Sequence, residues 1–529
     1  MMNPSNVMPV ANYSIVQPAT QQKTFSQNNI IRFSVPSNSV PFFDPHSSYL
    51  SIEAQLTAPT DKMELNGDAS VIIEYIKISV NGVVLEEIDE YNQLANVWNT
   101  YGNDQSSRQV SSVFTQDSID PFSGGLQGAD TDGSINIKPV KLLIPLHATA
   151  IFGSKEVVPL MAFGANLDIE IRLAPNEKVL KSYQRGSYGA SQNLDNNTTR
   201  ILGGTIATAT VDTFNINSEQ RVGWSNIGDC PLAEGQHIRI RRSDGSQVDG
   251  ANFDDLVIES ITRLATTAIT DNPMAVQIKT TAGAANTGGV SNNSVITKFK
   301  DTANAVAPTS GIIYQRAELY LQKVIPPSNY VKALNKSIMS QEGFQYDLHT
   351  FTTYKGVVKK EIMSQTIEIP AYQSRAKSVL TVMRRSGQAP VLNIDNTAVA
   401  SHYRFNGIFQ NCKDYQYQIN NGIRVPTRPV NLDVMRGSFN HLSAEHLIQL
   451  TQALGSSNIG VKSIKDSREN FVIGRQLSKY GGTTNLTSAL RIYVNYNAPT
   501  DPVADIQTIT FVNHINRVAI NQGGLQVFN

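Results

Sequence analysis

The sequence predicts an all-β protein: two tandem copies of one β domain, short connector helices and a β-rich insertion in the first copy. Three observations carry this. Short β-branched and aromatic runs recur between Gly, Pro, Asn and Asp along the chain. Few segments show helical periodicity. One ordered set of elements occurs twice.

Residues 1–24, rich in Asn, Pro, Gln and Ser and without periodicity, read as an extended N-terminal arm. Strand-forming runs follow at Ile30–Val35, Tyr49–Leu56 and Val71–Val80. The last ends in alternating apolar and polar residues, as a half-buried strand requires, and runs into Asn81-Gly82. Both turn residues tolerate positive φ, so a tight hairpin is expected, with Val83-Val84-Leu85 returning. Glu86–Tyr101 reads as a helix, with Ile88, Tyr91, Leu94, Ala95 and Trp98 on one face. Its first turn holds Glu86, Glu87 and Asp89, which suits the helix dipole. Further helices are expected at Ser328–Gln341 and at Ser443–Leu454. The second of these has Ser443 as N-cap, apolar Leu447, Ile448, Leu450 and Leu454, and Gly455 as its stop.

The repeat links distant segments. Tyr75–Gly82 precedes the first helix, a Gly-rich loop follows, and a strand closes on Ala174-Pro175. Tyr415–Gly422 precedes the helix at 443–454, another Gly-rich loop follows, and Asn485–Tyr496 leads to Ala498-Pro499. Each copy ends in one long strand, Ile312–Val324 and Gln507–Ile520. Residues 186–311 have no counterpart in the second copy and carry strands of their own at Gly204–Ile216, His237–Arg241, Leu256–Thr267 and Ala275–Lys279. They read as an insertion domain, a small barrel or sandwich on a loop, where long insertions cost little closure entropy. The expected organisation is an arm at 1–24, a first β domain at 25–185 and 312–326, the insertion at 186–311, a linker helix at 327–342 and a second β domain at 343–529.

The 529 residues carry 44 Lys plus Arg against 44 Asp plus Glu, with only 17% charged residues. Balanced charge argues against general attraction to nucleic acid or an anionic membrane. A hydrophobic content of 40% excludes a disordered chain. Near-zero net charge on an amide- and hydroxyl-rich surface favours association of copies. Cys230 and Cys412 make no disulfide framework and read as apolar filler in a reducing compartment. Met1–Ala11 lacks the basic and apolar regions of a secretory signal, so assembly inside a cell is expected and the sequons at Asn197 and Asn485 stay bare. Val140–Phe152, with Lys141, Pro145 and His147, is too short for a membrane span.

Motifs for chemistry are sparse, and no catalytic, cofactor or metal residue is expected. His441 and His446 bracket Glu445 at a spacing that turns two imidazoles apart on a helix, so they read as polar residues near its start. Gly455–Ser463 imitates a phosphate loop, but Val461 separates Gly460 from Lys462 and a helix, not a strand, leads in. Asp130-Thr131-Asp132-Gly133, with Asp117 and Asp120 nearby, lacks a closing acid and reads as a surface loop. Arg239 and Arg241, followed by Arg242, share a strand face that is either solvated or open to phosphate or sulfated glycan. Arg384 and Arg385 suit either a salt bridge at a subunit contact or contact with genome or an inner protein. Tyr415 and Tyr417 share a sheet face, and with only Lys413 and Arg424 near them they read as intersheet packing, not a base-stacking platform.

Two tandem β domains, each with a helix after a hairpin, resemble the double jelly-roll major capsid proteins of tailless bacteriophages, adenoviruses, virophages and polinton-like viruses. Locally, Tyr415–Pro429 is similar to second-domain segments of the polinton-like virus and virophage proteins, and Ile367-Glu368-Ile369-Pro370 before Ser374-Arg375-Ala376 fits them too. The resemblance covers residues 25–185 and 312–529. It implies two eight-stranded jelly rolls and homotrimers that act as pseudo-hexameric capsomers of an icosahedral shell. The chain's partners would then be its own copies, penton and minor or cement proteins, and a host receptor met through the insertion. It implies a virion location and a non-catalytic role, with no sequence-specific nucleic-acid binding and no transmembrane segment. The alternative is a β-sandwich attachment or carbohydrate-binding virion protein. A polysaccharide-cleaving enzyme would need paired carboxylates, and no local pair is present.

Overall fold

In the computed structural model, sixteen strands build two barrels of eight, in the same order twice. The structure describes residues 8–101, 139–182, 311–385, 412–432, 444–455 and 471–528 with short gaps, and isolated strands or residues at 126–127, 206–209, 213–217, 237–242, 256–264, 275–280, 294–298, 405 and 407.

The first barrel comprises β1 (Met8–Val16), β2 (Ile30–Val35), β3 (Phe43–Leu56), β4 (Ile73–Val80), β5 (Val83–Asp89), β6 (Val140–Ile144), β7 (Leu167–Leu173) and β8 (Ile312–Ile325). The second comprises β9 (Phe344–Val358), β10 (Ser364–Ile369), β11 (Ala376–Arg385), β12 (Cys412–Ile419), β13 (Ile423–Asn431), β14 (Val472–Gln476), β15 (Leu490–Tyr496) and β16 (Ile506–Asn521). The sheets run β1-β8-β3-β6 and β2-β7-β4-β5, then β9-β16-β11-β14 and β10-β15-β12-β13. Every strand n of the first barrel thus has strand n+8 of the second in its place. Within each barrel the first, eighth, third and sixth strands form one sheet, and the second, seventh, fourth and fifth form the other. That is the jelly-roll order, in which two sheets pack face to face.

Local chemistry explains the strands. β15 alternates buried and half-buried residues along its whole length, and β7 does nearly the same, so each lays one face on a core. The expected hairpin is present: Asn81 and Gly82 have φ of 50° and 79°, the double positive-φ turn that matches strand twist. In the second barrel Asn420 (φ 46°) opens the corresponding turn. β9 and β16 pair without interruption from Phe344↔Ile520 to Val358↔Ile506.

Several boundaries differ from expectation. Residues 8–16 of the expected arm are docked as a strand: β1 pairs antiparallel with β8 from Met8↔Ile325 to Val16↔Leu319. Glu86, Glu87 and Asp89 do not open a helix. They lie on β5, which stays paired with β4 as far as Tyr75↔Asp89. Ile88 is buried by that strand, so its helical spacing was coincidental. The helix α1 spans Tyr91–Tyr101, entered through Glu90 at φ 53°. Residues 69–72 form a short 3-10 turn before β4. Between the barrels α2 spans Ser328–Ile338, with Leu334 buried and Tyr330 edge-on to Phe42. α3 spans Ala444–Leu454 and ends at Gly455, φ 65°. Leu450 and Leu454 are buried, but Ile448 faces out.

The insertion leaves the β7–β8 crossover. Its strands form one six-stranded antiparallel sheet in the order Ile206–Ala209, Thr213–Asn217, Ala275–Thr280, Leu256–Leu264, His237–Arg242 and Ser294–Lys298. The run expected as one strand at 204–216 is therefore two. Two apolar clusters make the core. One fills the second barrel between its sheets, with Met383, Cys412, Tyr415, Tyr417, Ile492 and Val512. The other fills the first barrel and continues onto the outer face of the β9-β16-β11-β14 sheet, through Leu348, Phe351, Leu380, Val382 and Phe511.

Candidate functional site: the seam between the barrels

That shared core joins the barrels along β5 and β9. Hydrogen bonds across it come from side chains: Thr353 Oγ1 donates to the Asp89 carbonyl at 2.7 Å and Asn516 Nδ2 to the Leu85 carbonyl at 3.2 Å. Gln93 Nε2 on α1 donates to the Phe405 carbonyl. The Tyr346 hydroxyl lies 3.0 Å from Ser154 Oγ, and Trp98 packs edge-on against Phe351.

At the β5–α1 junction the Glu90 carboxylate is buried and meets Lys355 Nζ at 3.1 Å, Lys178 Nζ at 3.2 Å and Arg384 Nη2 at 3.9 Å. Lys355 and Arg384 belong to β9 and β11; Lys178 belongs to the first barrel. The network continues through Lys355–Asp89 (2.8 Å), Lys178–Glu74 (2.7 Å) and Arg172, which reaches both Glu74 (3.3 Å) and Asp89 (3.4 Å). Burial works against the charged form of Glu90, but Lys178, Arg384 and Lys355 outweigh it and hold the carboxyl below its ordinary range. Buried charges are tolerable only when paired, as Glu90 is by three cations.

Glu86 is the second buried acid. Its carboxylate accepts from the Ala150 and Ile151 amides (2.7 and 3.3 Å) and from Thr350 Oγ1 of β9 (3.4 Å). Burial pushes it up to about 7, although the two amides and the Thr350 hydroxyl favour the anion. Glu86, Thr350, Phe351, His514 and Asn516 line a cavity of about 560 Å³ beside the seam. Burial holds His514 near 4, so it is neutral and bonded to Thr352 Oγ1 at 2.8 Å.

Among the described residues no group of three or more His, Cys, Asp or Glu could hold a metal, and no helix is long and apolar enough to cross a membrane. The residues singled out in the sequence scatter. Arg384 makes its ion pair inside its own chain and also donates to Gln507 Oε1 at 3.0 and 2.7 Å. Tyr415 and Tyr417 are fully buried and edge-on to each other, the intersheet role expected of them. Cys412 is fully buried, and burial pushes its thiol well up. His446 corrects its reading as a polar residue at a helix start. It is fully buried, stacked on Phe471, with Nδ1 3.2 Å from the Tyr415 hydroxyl. Arg239 and Arg241 fall on the insertion strand His237–Arg242. Cys230, His441, Ser443, Asp117, Asp120, 130–133 and 456–463 lie outside the described residues. Glu86 and Glu90 were not singled out as seam residues. The available signal was four acids in five residues, Glu86, Glu87, Asp89 and Glu90, shortly after an Asn-Gly turn in a chain with few charges.

Sequence comparison finds no protein-family profile and no curated protein that matches this chain. Structural comparison does. A chain of the PBCV-1 virus capsid superposes with a TM-score of 0.50 at 10% identity, covering 99% of this chain and 98% of that one. The Faustovirus major capsid protein gives 0.49 at 10% identity, over 98% and 93%. A chain of the Sputnik virophage gives 0.41 at 10%, over 99% and 89%. The strand order and the first of these likenesses define the class: the chain has the double jelly-roll fold found in viral capsids.

Proposed function

We propose that the chain is a major capsid protein, forming homotrimers that serve as pseudo-hexameric capsomers of an icosahedral shell. The observation that carries this is the repeat in three dimensions. Two barrels of one topology are locked by a common core and a buried ion network into a single block. A block of two like barrels, three times over, presents six similar sides to a hexagonal lattice. The near-neutral surface suits close packing of copies. The insertion on one crossover suits an outward tower where a host receptor would be met. Penton and minor or cement proteins are the further partners of this reading, and the virion, assembled inside the host cell, is its location.

The test is light scattering on the purified full chain together with negative-stain imaging. Stable trimers with a hexagonal outline, or closed shells, are expected. A chain that stays monomeric at high concentration overturns the proposal.

A further inference from the structure

Strands in equivalent positions have opposite exposure in the two barrels. β5 is the edge strand of its sheet, and its Leu85, Glu86 and Ile88 are buried where it runs along β9. β13 is the edge strand in the same place of the second barrel, yet all of it except Val430 is exposed or half-buried, with Ile423 55% exposed. The complementary face behaves in the opposite way. β9 is covered by β5 through Thr350 and Thr353, and by α1 through Trp98, edge-on to Phe351. Its counterpart β1 presents Tyr13 and Ile15 at 41% and 51% exposure.

The open face around β1 is chemically distinctive. Ile15, Tyr320 and Tyr49 are opposite one another across three strands and therefore share one sheet face, as does Tyr13 beside them. The Tyr49 and Tyr320 rings stack at 5.1 Å, and Tyr13 meets both edge-on at 5.8 and 6.1 Å. Glu318 and Glu53 lie on the same face; Glu318 accepts from Tyr320 and Gln17 at 2.8 Å each. The open edge of β13 carries Arg424 and Arg428 besides Ile423. The β1 face is thus aromatic with balanced charge, since Lys141 lies over the Tyr320 ring at 5.7 Å and Arg316 pairs with Glu53 at 3.3 Å; β13 offers Ile423 and Arg428, with Arg424 over the Tyr493 ring at 5.5 Å.

We propose that they are two halves of one subunit contact: β13 of one copy lies along β1 of the next, as β5 lies along β9 within the chain. The inference rests on the capsid reading and names its contact faces. Pro426 and Pro429 deny β13 two ladder donors, so the contact runs through side chains, as it does at the internal seam. A contact between two different patches is head-to-tail, and closure into a ring is what keeps it from running on as a filament.

Two variants of the full chain test this by size-exclusion chromatography with light scattering. Ile15→Arg/Tyr320→Arg spoils the β1 face, and Arg424→Glu/Arg428→Glu spoils the β13 edge. Each is expected to be monomeric with unchanged far-ultraviolet circular dichroism. Mixed, each supplies the surface the other lacks, so a one-to-one dimer and nothing larger is expected. Should either variant fail to fold, Ile15→Cys/Ile423→Cys in an otherwise unaltered chain gives a second readout: a bismaleimide should link subunits into trimers. Wild-type trimers alongside trimeric variants and no cross-link place the contact elsewhere and leave the capsid reading standing. A monomeric wild type overturns both.

Discussion

Lys355 of the second barrel holds its ammonium 3.1 Å from the Glu90 carboxylate of the first, inside a seam where that carboxylate is 3% exposed. Four cations and three acids meet there, drawn from both barrels. Such a network does not add much net stability over an apolar filling, but removing one member leaves the charges around it unbalanced. It therefore fixes how one barrel sits on the other.

Glu90→Ala should destabilise the chain by about 1.5–3 kcal/mol, because Lys178, Lys355 and Arg384 lose their shared acceptor while Lys178 keeps Glu74 and Lys355 keeps Asp89. Urea melts of the full chain measure this. Adding Lys355→Met to Glu90→Ala should recover part of the loss. Equal loss in single and double variants would show that the ion pair is uncoupled.

Glu86 makes the seam pH-sensitive in the alkaline direction. Its folded pKa, about 7, lies above the ordinary 4.5, so the folded state holds a proton that the unfolded state releases. The contribution is full below 4.5 and is lost as pH rises through 7. It is worth about 3 kcal/mol over that window. Glu86→Gln should match wild type at low pH and exceed it at pH 8, in melting temperature followed against pH. Glu90, held below its ordinary range, has the opposite sign: its contribution is present above its unfolded pKa and is lost as pH falls through the folded one.

His446 should stay neutral far below the usual imidazole range, because burial lowers it to about 3. Its folded pKa lies under the unfolded one, so its contribution is present above about 6.5 and is lost as pH falls toward 3. A titration of the imidazole by nuclear magnetic resonance that reaches its midpoint near 6 would contradict the buried stack on Phe471. His446→Ala should cost about 2–4 kcal/mol as a large-to-small change in a packed core.

Gly474→Ala and Gly82→Ala should differ in cause. A Cβ at Gly474 would stand 2.9 Å from Leu450 Cδ1 and 3.0 Å from Ala453 Cβ, pushing α3 off β14; overpacking of this kind costs about 1–3 kcal/mol. At Gly82 the space is open and only φ of 79° resists a side chain, at about 1–2 kcal/mol. Gly82→Asn should then recover most of the hairpin's stability in thermal melts, whereas Gly474→Asn should be worse than Gly474→Ala.

The repeat was legible in sequence because its signals are local. Asn81-Gly82, the alternation in Leu167–Leu173 and the long runs ending each copy are patterns within a dozen residues, and the strands formed where those patterns lie. Errors clustered where two local readings compete. Glu86–Asp89 satisfies a helix-start rule and a strand continuation equally, and pairing with Tyr75–Ile78 of the hairpin decided for the strand. The N-terminal residues lack periodicity, and β1 forms because β8, three hundred residues on, offers it an edge.

By itself, then, the sequence determined the β class and the doubling of the domain, since strand alternation and turn geometry depend on neighbouring residues. Tertiary structure alone decided the seam and the open faces. Glu86 and Thr350 are 264 residues apart, and nothing near either announces the other. β5 and β13 are alike in topology, yet one is buried and the other exposed. That difference comes from which barrel lies beside each, a relation set by packing over the whole chain.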